Sequence, residues 1–468
     1  MIGFKKFFSK PSEHPLARDE HITTVLADLP VGDPAQSLQD LTHWLILLAS
    51  DDRLKNRSTK LFRLDQAAQG AERKLRTQYT EASRLHKTIE ERLWNAAFEF
   101  FEASVNAHLR CIAELLEDGR GVGNPDLAAL VVRTVRRLDL QAHWIQLRYQ
   151  PLPESLWEQV YTLIKLAEDK QLLRVPVTLN PTTGAQTTFV EEALKLLMMA
   201  VSDPRQFTKS QMALARHLTN TLADTFVWED IPGNSAVFHI DFSKRQPPTR
   251  LTPTSEQHFM ARCFGPGAAV HRLVTAIKQV EQGTLPSQLG LPDPTSYRRG
   301  DLLEVLARLS QSWSRARPVS EHQHYDKRHH QRKPLFLQIC VIHGFEALHR
   351  SLDRPPAPPA GSSKSVADTL TYDGQVDTHI FGFVREKTRE QQQRLQELTM
   401  SERDANPQCE TWVVRDVSKA GFGVEITTTP EDWLIPNVLI GIQMGAAVWQ
   451  IGIIRRRASA SVENTEVG

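Results

Sequence analysis

The sequence predicts a multidomain α+β protein: a long, mostly α-helical N-terminal region, then a small C-terminal antiparallel β-barrel carrying an inserted flexible segment. Three observations lead there. Apolar residues recur at helical spacing from about Asp33 to Leu222, the period changes to two after Pro318, and a polar stretch from Leu352 to Gln408 splits the period-two region. The chain has 468 residues, and domains usually hold roughly 100–200, so two or three are expected. The boundaries read as a tail over 1–32, a helical domain over 33–225 and a mostly helical connecting subdomain with a β-hairpin over 226–318. The barrel follows over 319–468, with 352–408 as its insertion.

The helical stripes are explicit. One carries Leu93, Ala97, Phe100, Phe101, Ser104, Cys111 and Leu115; another Leu156, Val160, Leu163, Ile164 and Ala167; a third Leu214, Leu218 and Leu222. Each is an i, i+3, i+4 face that needs a partner helix to cover it. Asn124-Pro125-Asp126, after the break at Gly119–Gly123, is a helix-start signal. Two β-rich runs within Phe226–Phe242 flank Ile231-Pro232-Gly233-Asn234 and read as a hairpin or two short strands, with Gln246–Thr254 as a surface connection. Helical spacing returns through Val274, Ile277 and Val280 and through Leu302, Leu303, Leu306, Leu309 and Trp313.

In the C-terminal third, Leu335, Leu337, Ile339 and Val341 alternate with Phe336, Gln338, Cys340 and Ile342 up to Gly344. Further strands are expected at Thr411–Arg415, Phe422–Ile426, Val438–Gln443 and Val448–Arg455, and Asn464–Gly468 reads as the opening of a last one. Several short strands with Gly and Pro between them suggest a small barrel. The insertion opens with a Pro/Ala/Ser tract too poor in apolar surface to offset its ordering entropy, so disorder is expected there, followed by a polar helix.

Composition narrows the function. Lys+Arg number 56 against 55 Asp+Glu, a formal net charge of +1, with 40% hydrophobic and 24% charged residues. Binders of nucleic-acid polymers and polybasic membrane binders carry a clear cationic excess, so this balance argues against both. It leaves room for a small anion held by a few local cations. The cysteines, Cys111, Cys263, Cys340 and Cys409, lie far apart without a CxxC pair, so neither a disulfide framework nor a cysteine zinc site is expected, and a reducing cytoplasm fits. Apolar runs such as Trp44–Ala49 fall far short of the roughly 18 residues of a spanning helix, so no membrane insertion is expected.

One constellation carries chemistry. Lys327, Arg328, Arg332 and Lys333 put four obligate cations within seven residues, without an acid among them, directly before the first barrel strand. After the insertion, Arg415-Asp416-Val417-Ser418-Lys419-Ala420-Gly421 falls at a strand-to-strand turn. A guanidinium offers a rigid fork of donors that matches phosphate oxygens or the O6/N7 edge of guanine bidentately. A carboxylate at Asp416 can accept from guanine N–H groups, Ser418 adds an adaptable hydroxyl, and Gly421 removes a Cβ where the backbone turns or a ligand approaches. A guanine-containing dinucleotide with two phosphates satisfies all of these together. Taken alone, the Asp416–Gly421 stretch is also a plausible Asx- or Ser-turn closing a hairpin.

Arg-xxx-Arg before a barrel strand, followed in order by Asp-x-Ser-x-x-Gly within the barrel, resembles the PilZ domain, the bacterial receptor module for cyclic di-GMP, over about Tyr325–Gly468. The resemblance implies a cyclic di-GMP ligand clamped by Arg328 and Arg332 and read by Asp416, Ser418 and Gly421, with Lys327 and Arg415 as further candidates. A rival pair, Arg385 and Arg389, lies 27 positions before Asp416, whereas 84 separate Arg332 from it. Arg328 and Arg332 are preferred because a strand follows them directly.

The expectation is therefore a non-enzymatic, cytoplasmic cyclic di-GMP receptor without cofactor, whose helical region binds a protein partner or a second copy of the chain. A helical scaffold with a barrel that no longer binds ligand is the alternative. The histidines His322, His324, His329, His330, His343 and His349 raise a metal site, but no HExxH or carboxylate set accompanies them. Arg262–Gly267 lacks the Lys-Ser/Thr of a phosphate loop and reads as a turn, and Trp412, Trp433 and Trp449 read as barrel core or rim.

Overall fold

The computed structural model describes residues 16, 19–50, 54, 56–81, 86–119, 122–179, 184–252, 260–286, 289–291, 297–315, 333–352, 409–418, 421–426, 433–444, 449–459 and 465–467. Contacts divide the chain into two compact units. One is Met1–Leu147, Leu152–Ser202 and Lys209–Arg315; the other is Arg148–Pro151, Asp203–Thr208 and Ala316–Gly468.

The first unit holds ten helices among the described residues: α1 Asp19–Ala27, α2 Pro34–Ser50, α3 Arg57–Glu81, α4 Lys87–Glu117, α5 Pro125–Leu147, α6 Glu154–Asp169, α7 Phe189–Ala200, α8 Lys209–Thr221, α9 Ala269–Glu281 and α10 Arg299–Trp313. The predicted stripes are the buried faces of α4, α6 and α8. Helix α1 begins within the stretch assigned to the tail, and its Ile22 is fully buried. Asn124 caps α5 through its side-chain oxygen, which accepts from the Leu127 amide at 3.0 Å. A capping box starts α7: the Thr188 hydroxyl accepts from the Glu191 amide and the Glu191 carboxylate from the Thr188 amide. Trp313, at the end of α10, is fully buried and donates its indole N–H to Ser202 Oγ at 2.9 Å.

Two short strands, β1 Val177–Thr178 and β2 Gln186–Thr187, pair between α6 and α7. The predicted β-rich region becomes part of a four-stranded antiparallel sheet of β3 Val227–Glu229, β4 Phe238–Asp241, β5 Thr249–Arg250 and β6 Ala261–Gly265, in the order β3-β6-β4-β5. Thus β3 and β4 do not form a hairpin; each pairs with β6. The Arg262–Gly267 stretch read as a turn supplies this central strand, and the Gln246–Thr254 connection supplies β5. The glycines that suggested a turn serve close approach instead. A Cβ at Gly265 would collide with the Ser235 carbonyl oxygen, and Gly267 adopts φ +51° against Thr225.

The second unit carries β7 Lys333–His343, α11 Phe345–Leu352, β8 Glu410–Ser418, β9 Gly421–Ile426, β10 Leu439–Gln443, β11 Gln450–Ile453, β12 Arg457–Ser459 and β13 Thr465–Val467. These seven strands form one antiparallel sheet in the order β11-β10-β7-β8-β9-β13-β12, curled into a half-barrel. The stretch read as the opening of a last strand is an interior strand, β13, between β9 and β12.

Strand β7 is apolar on both faces because both are covered. Ile339 and Val341 join Trp412, Val414, Val424, Ile426, Leu434, Ile440 and Ile454 in the barrel core. Cys340 and Ile342 face the other way, against Leu348 of α11, Cys409 and Trp449. Cys340 and Cys409 are disulfide-bonded, with Cα atoms 5.6 Å apart. One bond is not the disulfide framework that the spacing argued against, but it departs from the expectation of reduced thiols. Spacing cannot reveal a pair 69 positions apart, which becomes adjacent only when β8 folds back onto β7. Thiol titration of the denatured, unreduced chain is expected to count two thiols, Cys111 and Cys263, and four after reduction.

Candidate ligand-binding site

The Asp416–Gly421 motif lies where β8 turns into β9. Val417 pairs with Phe422 and Ser418 with Gly421, so Lys419 and Ala420 are the two residues connecting the strands. The Ser418 hydroxyl donates to the Gly421 carbonyl oxygen at 3.3 Å, which ties the turn as the plainer reading of this motif expects. A Cβ built at Gly421 would meet nothing within 4 Å. Packing therefore does not require this glycine, but its backbone does: φ is +157°, a conformation that side-chain-bearing residues rarely adopt, and the position is exposed.

The register shifts on both sides of Arg415. On the β9 side Val414 pairs with Val424 and Asp416 with Gly423, which leaves Arg415 as the extra residue of a β-bulge. On the β7 side Leu337 pairs with Val414 and Pro334 with Asp416. A bulge interrupts strict alternation and re-aims the side chains beside it. Here Trp412 and Val414 point into the core, Arg415 is exposed, and Asp416 is half-buried between Pro334 and Gly423, two partners with small or no polar side chains. Arg415 forms an ion pair with Glu425 of β9. Glu425 was not singled out from the sequence; its alternation with core residues Val424 and Ile426 is the signal that places it outward.

Of the other expected ligand residues, Lys327, Arg328 and Arg332 lie outside the described residues, as do the rival pair Arg385 and Arg389. The described strand begins at Lys333, whose partner in register is Val417, between Asp416 and Ser418. Strand β7 therefore enters the sheet at the end that carries the Asp416–Gly421 motif.

At the opposite end of β7, His343 stacks on Trp433 with ring centroids 3.9 Å apart, and Trp433 stacks on the buried Trp412 at 6.0 Å. Glu410 accepts from the Trp412 indole at 3.1 Å and lies 3.8 Å from His343 Nε2. Trp433 thus packs against two protein rings. His322, His324, His329 and His330 lie outside the described residues, and no group of three or more His, Cys, Asp or Glu able to hold a metal occurs among the described ones. Likewise, no helix among the described residues is long and apolar enough to cross a membrane.

Residues 20–231 match the family model described as "Cyclic-di-GMP receptor FimW, N-terminal domain", a little under half of the chain. The match falls on the helical unit and not on the C-terminal third that carries the PilZ resemblance. The comparison with curated proteins and that with solved structures each gave no match.

Proposed function

We propose that this protein is a cyclic di-GMP receptor whose ligand site is the β7–β8–β9 end of the half-barrel, with the helical unit as its output. The observation that carries the reading is the register of Lys333 with Val417. Arg332 is the residue before Lys333 in the sequence, and consecutive Cα atoms are about 3.8 Å apart, so it is tethered to the end of the sheet that carries Asp416. Arg332 and Arg328, four positions apart, can then clamp the two phosphates of one dinucleotide while Asp416 accepts from guanine N–H groups. The half-buried setting of Asp416 and the open surface over Gly421 suit a planar base laid against the turn. That an N-terminal domain of cyclic di-GMP receptors is what residues 20–231 resemble supports the same ligand from the other half of the chain.

No catalytic step is required. Binding engages Arg328 and Arg332 together with the Asp416–Gly421 turn, and any resulting shift is limited by the ligand's differential affinity for the bound and free arrangements. The helical unit then presents a surface to a protein partner or to a second copy of the chain. Calorimetric titration of cyclic di-GMP into the full chain at micromolar concentration tests the proposal. Saturable heat is expected with cyclic di-GMP and none with GMP at equal concentration; absence of heat with cyclic di-GMP would refute the receptor reading and favour the scaffold alternative.

A further inference from the structure

The second unit holds, besides its sheet, two short pieces of chain from far earlier in the sequence. Arg148–Pro151 joins α5 to α6, and Asp203–Thr208 joins α7 to α8. Strand β12 packs against the second piece at the single turn Pro204–Gln206, and its first residue, Arg457, reaches the first. The guanidinium carbon of Arg457 lies 5.2 Å from the centroid of the Tyr149 ring, while Nη1 donates to the Leu434 carbonyl at 2.8 Å. A cation over a ring face at this distance is attracted by the ring quadrupole, more strongly where water is excluded. Tyr149 is only 2% exposed, so its ring is shielded from solvent.

Tyr149 holds this position at a cost. It lies two residues past the end of α5, where helices commonly close on a left-handed residue that is usually glycine. Here φ is +60° at a tyrosine, a region that residues with large side chains seldom enter. Asp203 also has a positive φ, +50°, but aspartate tolerates the region through its short polar side chain. The Tyr149 hydroxyl is moreover buried with no hydrogen-bond partner among the described residues, a rare condition. Release of the ring would relax the helix end and bring water to the hydroxyl; ring burial and the Arg457 contact oppose release. Opposed contributions of this kind poise the docked ring against a released one, so a small bias on Arg457 shifts the balance.

The sheet can supply that bias from its ligand end. Leu337, Val414, Val424, Val467 and Arg457 are partners in register, one row across β7, β8, β9, β13 and β12. The row passes directly beside the bulged Arg415, and Arg457 is its last member. Val414 and Val424 belong to the barrel core, and close-packed interiors have low compressibility and transmit strain. We infer that Arg457 on Tyr149 is the contact through which ligand at the β8–β9 turn acts on the α5–α6 connection, the ligand-bound sheet holding the ring docked. This rests on the receptor reading and names the residues that carry its output.

Hydrogen–deuterium exchange of the full chain, with cyclic di-GMP at a concentration that calorimetry shows to be saturating, tests the contact on the peptide spanning the end of α5 and the start of α6. Ligand is expected to slow exchange there about fivefold, the population change that one cation–ring contact supplies. The same response is expected in Arg457→Lys, which keeps a cation over the ring. Arg457→Gln and Tyr149→Gly are expected to bind ligand with at most a comparable loss of affinity, as linkage requires, and to show no ligand response in that peptide. Tyr149→Gly suits the left-handed backbone and removes only the ring, so the test stands even if Arg457→Gln fails to fold. A purely structural arginine would lower the thermal midpoint of Arg457→Gln and leave the ligand response intact, which overturns the inference. Binding heat with unchanged exchange in wild type overturns it as well and leaves the receptor reading standing. Absence of heat refutes the receptor reading and this inference together.

Discussion

Replacing Arg332 or Asp416 by alanine is expected to weaken cyclic di-GMP binding by about tenfold to a hundredfold while leaving the thermal midpoint within a few degrees of wild type. Removing a guanidinium from a phosphate loses one or two charge-assisted bonds, and truncating Asp416 leaves buried guanine donors unpaired. Each loss is worth roughly 1.5–3 kcal/mol, and the penalty grows where the ligand excludes water. The fold should tolerate both changes. Arg332 precedes the first residue of β7, and Asp416 is only half-buried at the end of a strand whose core contacts come from Trp412, Val414 and Val417. Ser418→Ala removes a hydroxyl that also ties the turn, so its effect on binding is expected to be smaller and mixed with a local loosening. The comparison with Arg385→Ala/Arg389→Ala decides between the two arms. Wild-type affinity in that double variant and lost affinity in Arg328→Ala is the predicted pattern; the reverse pattern would assign the clamp to the insertion.

The largest effect on stability is expected in the helical unit, at Asp65. This carboxylate on α3 is fully buried, and Arg137 of α5 donates to it at 3.0 Å. His108 of α4 places Nε2 3.0 Å from its other oxygen, while His108 Nδ1, 2.7 Å from the Ser104 carbonyl, must donate there. Three helices thus meet at one buried negative charge. Burial alone would push the Asp65 carboxyl up, but Arg137 and His108 outweigh it and hold it well below the usual carboxylate range. Removing Arg137 leaves the buried Asp65 charge with His108 as its remaining close partner and strips Glu72 of its own, and Arg137→Met is expected to cost about 3–5 kcal/mol. The double variant Asp65→Leu/Arg137→Met is expected to be markedly more stable than Arg137→Met alone, since an apolar pair of similar volume carries no desolvation penalty. Urea denaturation of the four members of this cycle gives the coupling directly.

The same group sets an acid dependence. Because the folded-state value of Asp65 is depressed, its contribution is fully present above the unfolded value, near 4, and is lost as pH falls below it toward the folded value. Wild type should therefore lose stability below about pH 4 more steeply than Asp65→Leu/Arg137→Met.

Much of the architecture was legible because it rests on periodicity. The stripes that became the buried faces of α4, α6 and α8 follow a period of 3.6, and the alternation that became β7–β11 a period of two. Pairing was less legible. That β6 would run between β3 and β4 depends on glycines that admit a close backbone, and glycine in sequence reads first as a turn. The Asp65–Arg137 pair and the Cys340–Cys409 bond join positions 72 and 69 apart, and no local pattern encodes such partners. At the candidate site the Asp416–Gly421 turn fell where strand spacing put it, but the bulge at Arg415 and its pairing with Glu425 depend on register, which only the folded sheet displays.

Hydrogen–deuterium exchange of the full chain, with and without cyclic di-GMP, tests the central claim most directly. The account predicts ligand-dependent protection at the start of β7, around Lys333–Leu337, and across the Asp416–Gly421 turn, with both effects abolished in Arg332→Ala. Protection confined to the helical unit, with those two segments exchanging as in the free protein, would contradict it.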